Sequence, residues 1–203
     1  LRDSEKLLAR SFPNIARVVY QLATRVVADG RSETQTVEKK WKNTSSLDMD
    51  DGFLDAHRHI LWAALMAKNL GPNIAHCALA LHEVENSWSP YEGIFAAHSE
   101  RHKEHYRLAT LMDFYNNAVG VQIGTDFEGT DEDLRKAINK LIQSSTGYLV
   151  LSPDRGRVVS AEDAKQMLVE AERERARMRE QEDRRRGGQQ PEQWRSKQRG
   201  TAQ

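Results

Sequence analysis

The stretch from Asp55 to Trp62, DAHRHILW, constrains this chain more than any other. Read as a helix, it places Asp55, Arg58, His59 and Trp62 at i, i+3, i+4 and i+7, so an acid, a guanidinium, an imidazole and an indole share one stripe between apolar flanks. A buried stripe of that composition needs polar partners on neighbouring helices. A second stripe of the same geometry follows in MDFYNNAVG, with Asp113, Asn116, Asn117 and Gly120. Between them LHEVEN supplies His82 and Glu83, which lie about 100° apart around a helix axis, so only one can point straight at a shared centre.

Apolar periodicity supports helices along most of the chain. Leu7, Leu8, Phe12, Ile15, Val18, Val19, Leu22 and Val26 recur at three and four, with a break expected near Pro13 and an end at Gly30. The spacing predicts further helices over 53–69, stopped by Gly71-Pro72, and over 73–86. Others are predicted over 94–119, ending near Gly120, and from a Thr130 cap through Leu141, with Asp133 completing a capping box. YLVLSPDRGRVV reads as a two-stranded hairpin, and Ser160 with Asp163 opens a last helix whose apolar residues stop at Leu168 and Val169. The expected fold is mainly α: a compact multi-helix domain with one small β-hairpin and a charged C-terminal helix and tail. Residues 1–30 form an N-terminal helical segment and 31–52 a polar loop. Residues 53–169 form the core, with the hairpin near 147–159, and 170–203 a charged helix with a disordered end.

Thirty basic residues balance thirty acidic ones, which removes any general affinity for nucleic acid or membrane and leaves the basic stretch after Arg184, around Trp194, as the one place where nucleic acid could be held. The single cysteine, Cys77, excludes an intrachain disulfide and a thiolate zinc cluster, and its apolar surroundings predict a buried, inert thiol. No apolar run reaches the roughly 18 residues of a membrane span, so a soluble chain is expected. The chain starts at Leu1, which suggests a fragment or a processed form.

All seven histidines fall between His57 and His105. His98, His102 and His105 alternate with charged residues like a solvated face, and His102 stands about 16 Å along the helix from Asp113, too far for one metal centre. His57 and His76 read as packing or surface residues. The remaining set suits metal-assisted hydrolysis. His59, Asp113 and one of His82 or Glu83 would ligate zinc or manganese, with Glu83 taken as the ligand and water in the open position. Asp55 or Asn117 would orient an imidazole, and Arg58 would hold an anionic substrate oxygen. A metal-free version makes His82 or His59 a general base oriented by Asp55 or Asp113, again with water as nucleophile. No nucleotide cofactor is expected. The alternative to catalysis is a buried polar network that fixes one packing register in a non-enzymatic structural or adaptor domain.

With these motifs in order, D-x-x-R-H-x-x-W, H-E, M-D-x-x-N-N-x-x-G and a Gly-containing hairpin ending in a serine, the chain resembles a family of bacterial and phage-associated domains of unknown function, over roughly 53–160. The pattern differs here in His57, where an aromatic residue is usual, and in the additional histidines from His98 to His105. The resemblance implies a toxin- or effector-like context, secretion or delivery from a bacterial cell, and a secretion or immunity partner. It implies no reaction. The expected activity is hydrolysis of a phosphodiester or cell-envelope substrate.

Overall fold

The computed structural model describes residue 6 and residues 9–26, 52–87, 100–152 and 156–188. The predicted end at Gly30, the loop over 31–51, the segment 88–99 and the tail 189–203 lie outside the described residues. The chain comprises two compact units, Leu1–Lys165 and Gln166–Gln203.

In the first unit a helical segment begins at Pro13, where fixed φ and a missing N–H suit the first helical position, and runs to residue 26 with Leu22 and Val26 buried. The central element is α1, Phe53–Leu70, with all but a few of its side chains buried. A helix covered on nearly every side can carry a polar stripe only where other helices answer it. It ends at Gly71 (φ 85°), whose N–H bonds the Ala67 carbonyl, and Pro72 opens α2, Pro72–Ser87.

α3, Glu100–Asp126, packs along α1 and also against α2. The predicted stop at Gly120 is corrected: the helix continues for six more residues. Gly120 serves contact instead, since a Cβ there would overlap the Ile60 carbonyl oxygen and lie 2.7 Å from the Ala63 Cβ. At Gly124 a Cβ would overlap the Ala64 carbonyl oxygen. The two glycines, four apart, face the Ala63–Ala64 stretch and let the backbones approach closely.

α4, Asp131–Ser144, starts with the expected capping box: Thr130 Oγ1 accepts from Asp133 N (3.1 Å), and the Asp133 carboxylate accepts from Thr130 N (3.2 Å). Leu134, Ile138 and Ile142 form its buried face, and the helix packs on α1. Strands β1, Leu149–Leu151, and β2, Val158–Ser160, pair antiparallel with Val150 opposite Val159. The hairpin lies on α3, where the buried Asn116 amide donates to Leu149 O (2.9 Å) and accepts from Leu149 N (3.0 Å). Ser160 closes the hairpin by capping α5, Ala161–Gly188: its Oγ accepts from Asp163 N (3.0 Å). In the second unit Leu168 is buried and every side chain described from Glu172 to Arg184 is exposed. The fold is mainly α with a small hairpin, and no described helix is long and apolar enough to cross a membrane.

Cys77 is exposed, against the expectation of a buried thiol. The run AHCALALH is apolar throughout, but α2 turns Ala75, Ala78 and Leu79 inward and Cys77 to the opposite side.

Candidate metal centre

Three helices meet around the His59 imidazole. α1 contributes Asp55 and His59 one turn apart, α2 contributes Glu83, and α3 contributes Asp113 and Asn117 one turn apart; all five are buried. The two stripes therefore face each other, and the close approach at Gly120 and Gly124 sits further along the same pair of helices.

The two ring nitrogens look at different neighbours. Nδ1 lies 3.2 Å from Asn117 Oδ1 and 3.4 Å from Glu83 Oε1, and Asn117 Nδ2 donates to that same Glu83 oxygen (2.9 Å). Nε2 lies 3.5 Å from Asp55 Oδ1 and 3.3 Å from Asp113 Oδ1. Burial draws the His59 pKa down to about 4, aided by the nearby Arg58 and His82, against the opposing charge of Glu83 and the Asn117 hydrogen bond. Near neutral pH the ring is thus uncharged. Both ring nitrogens face acceptors; a proton on Nδ1 would be accepted by Asn117 and Glu83 and would leave the Nε2 lone pair among the oxygens of Asp55 and Asp113.

One ligand atom each from Asp55, His59 and Asp113 can be chosen so that all lie within 4.8 Å of one another, a grouping that can hold a metal ion. Asp55 is on the Nε2 side with Asp113, and Glu83 is on the Nδ1 side beside Asn117. Arg58 donates through Nη2 to Asp55 Oδ1, with its side chain 45% exposed.

The other candidates go elsewhere. His82 turns its ring edge-on to Trp62, centroids 5.0 Å apart, and is half-buried beside the fully buried Glu83. Both members of the His-Glu pair sit on the inward half of α2, so the helix pattern alone could not choose between them. His57 is buried and bonds Asn139 of α4 through Nε2 (2.7 Å), a packing role whose partner no sequence signal singled out. His76 is exposed. His105 is half-buried against Tyr106, and the side chains of His98 and His102 lie outside the described residues.

Residues 17–146 match the family described as domain of unknown function DUF6973. The chain belongs to this family. The DUF6973 match takes in all of α1, α2 and α3, and so every residue around His59, and stops before the hairpin. No curated protein and no solved structure matches the chain. DUF6973 membership carries no reaction, and the chemistry rests on the His59 surroundings.

Proposed function

We propose that Asp55, His59 and Asp113 bind a divalent cation, manganese or zinc, and that the domain is a metal-assisted hydrolase of the toxin or effector type, acting on a phosphodiester or cell-envelope substrate. One observation carries this reading. His59 Nε2 lies 3.3 and 3.5 Å from oxygens of two buried carboxylates on two helices, and with the ring proton on Nδ1 its lone pair and those oxygens would converge on a position suited to a cation. Two carboxylates and one imidazole leave coordination positions for water, which the cation would acidify toward neutral pH. Glu83 and Asn117 would hold the ring by Nδ1, the carboxylate–histidine–metal arrangement that fixes tautomer and orientation.

The test is metal content and thermal stability of the full chain. About one equivalent of manganese or zinc per chain is expected, with a stabilisation of roughly 2.7 kcal/mol at a hundredfold excess over Kd. His59→Ala and Asp113→Asn should abolish both. A second reading, a purely structural polar network, draws support from His57–Asn139 and Asn116–Leu149, where residues within the same motifs tie elements together. Under it, no metal binds and His59→Ala simply lowers stability.

A further inference from the structure

One oxygen near His59 is claimed twice. Asp55 Oδ1 accepts from Arg58 Nη2, and it also lies 3.5 Å from His59 Nε2, the nitrogen that Asp113 Oδ1 approaches to 3.3 Å. A cation placed between Nε2 and these oxygens draws on an atom that a guanidinium already holds. The groups differ sharply in access. The side chains of Asp55, His59 and Asp113 are 4%, 3% and 12% exposed, whereas Arg58 is 45% exposed. The Arg58 bond to Asp55 is made within one turn of α1, at i and i+3, so side-chain rotation opens or closes it without any shift of a helix.

Resting on the cation site proposed above, we propose that Arg58 is a latch on it: the guanidinium holds Asp55 Oδ1 in the metal-free chain and swings into solvent when the cation takes that oxygen. Charge drives the exchange. Two positive groups on one buried oxygen repel each other far more than they would in water. Arg58 is the group that yields, because its guanidinium already stands partly in water and regains hydration on leaving, while the buried Asp55 cannot follow it out. The latch also acts before the ion arrives. A buried carboxylate is costly without a counter-charge, and Arg58 supplies one that needs no metal. Asp55 thus passes from one positive partner to another, and cation affinity is lower by the cost of displacing Arg58.

The full chain and its variants, treated with chelator and then titrated calorimetrically with zinc and with manganese near neutral pH, provide the test. Arg58→Gln, which removes the charge, should bind at least about tenfold more tightly than wild type, and Arg58→Lys, which keeps it, should stay within about threefold. In the wild type, phenylglyoxal should modify Arg58 faster with metal than without, as read by mass spectrometry of the peptide that carries it, and this measurement needs no variant to fold. Tighter binding by Arg58→Gln that is lost on adding His59→Ala supports the latch, even where the wild type binds too weakly to measure. Equal or weaker binding by Arg58→Gln, as large a gain in Arg58→Lys, or labelling of Arg58 that metal leaves unchanged or slows, overturns the latch and leaves the cation site standing. Folded wild type and folded Arg58→Gln that both bind no metal overturn the two together.

Discussion

At the scale of the residue, His59 should make the metal-free chain acid-sensitive within a defined window. Its folded pKa of about 4 lies below the ordinary value of 6.5, so between these limits the unfolded chain binds a proton that the folded chain refuses. Stability is therefore fully present above pH 6.5 and falls with pH through the window, by at most about 3 kcal/mol from this one group, at 1.36 kcal/mol per unit. Urea unfolding of the chelator-treated protein at pH 7 and pH 4.5, compared with His59→Gln, isolates the effect, because carboxylates elsewhere titrate in both proteins. Equal pH slopes for the two would show that His59 holds its proton equally well folded and unfolded, and a wild type that gains stability over His59→Gln as pH falls would show an imidazolium held in the fold; either outcome overturns the lowered pKa. The sequence placed His59 and Asp113 on facing stripes because helical spacing is a property of one chain segment. It could not tell Asp55 from Glu83, since the side of the imidazole each occupies depends on how three helices cross.

At the scale of the element, the contact between α1 and α3 rests on missing side chains. A methyl group on Gly120 or Gly124 meets a backbone carbonyl oxygen of α1, which cannot rotate away as the end of a side chain can. Gly120→Ala and Gly124→Ala are expected to destabilise by about 1–3 kcal/mol or more despite higher helix propensity, and to weaken the proposed metal binding because the helix carrying Asp113 must shift. A rise in melting temperature for either variant would show that α1 and α3 do not approach as described. The hairpin depends on α3 in a different way. Asn116→Ala removes both hydrogen bonds to Leu149 and leaves a main-chain donor and acceptor to find new partners, at a cost of about 1–3 kcal/mol. Faster amide exchange at Leu149, with Leu134 of α4 unchanged, is the expected sign. Elements with local signals, such as the Thr130–Asp133 box, the Gly71-Pro72 stop and the hairpin, were legible in the sequence. Gly120 was misread because glycine marks both a helix end and a close approach, and only the neighbour distinguishes them. Cys77 was misread because an evenly apolar run hides which face turns inward.

At the scale of the whole molecule, stability should reside in the first unit, and the second should be removable from its far end. The side chains described from Glu172 to Arg184 are all exposed, and pairs such as Arg184–Glu180 (2.6 Å) are surface contacts between neighbouring turns, a class worth only a few tenths of a kcal/mol. Among the described residues, ending the chain after Glu172 therefore removes charged helical turns and almost no buried apolar area. Its melting temperature should stay within about 2 °C of the full chain and its metal stoichiometry should be unchanged, while helical circular dichroism falls with the lost turns. A chain ended after Gly156 should behave oppositely. It loses β2, which pairs Val159 with the buried Val150, and it loses the buried Ala161 and Ala164 of α5. The remaining single strand would expose its ladder groups beside Val150 and Leu151, and aggregation or failure to fold is expected. A drop of several degrees on truncation after Glu172 would mean that the charged helix packs on the body, and the division near Lys165 would then not be a division in stability.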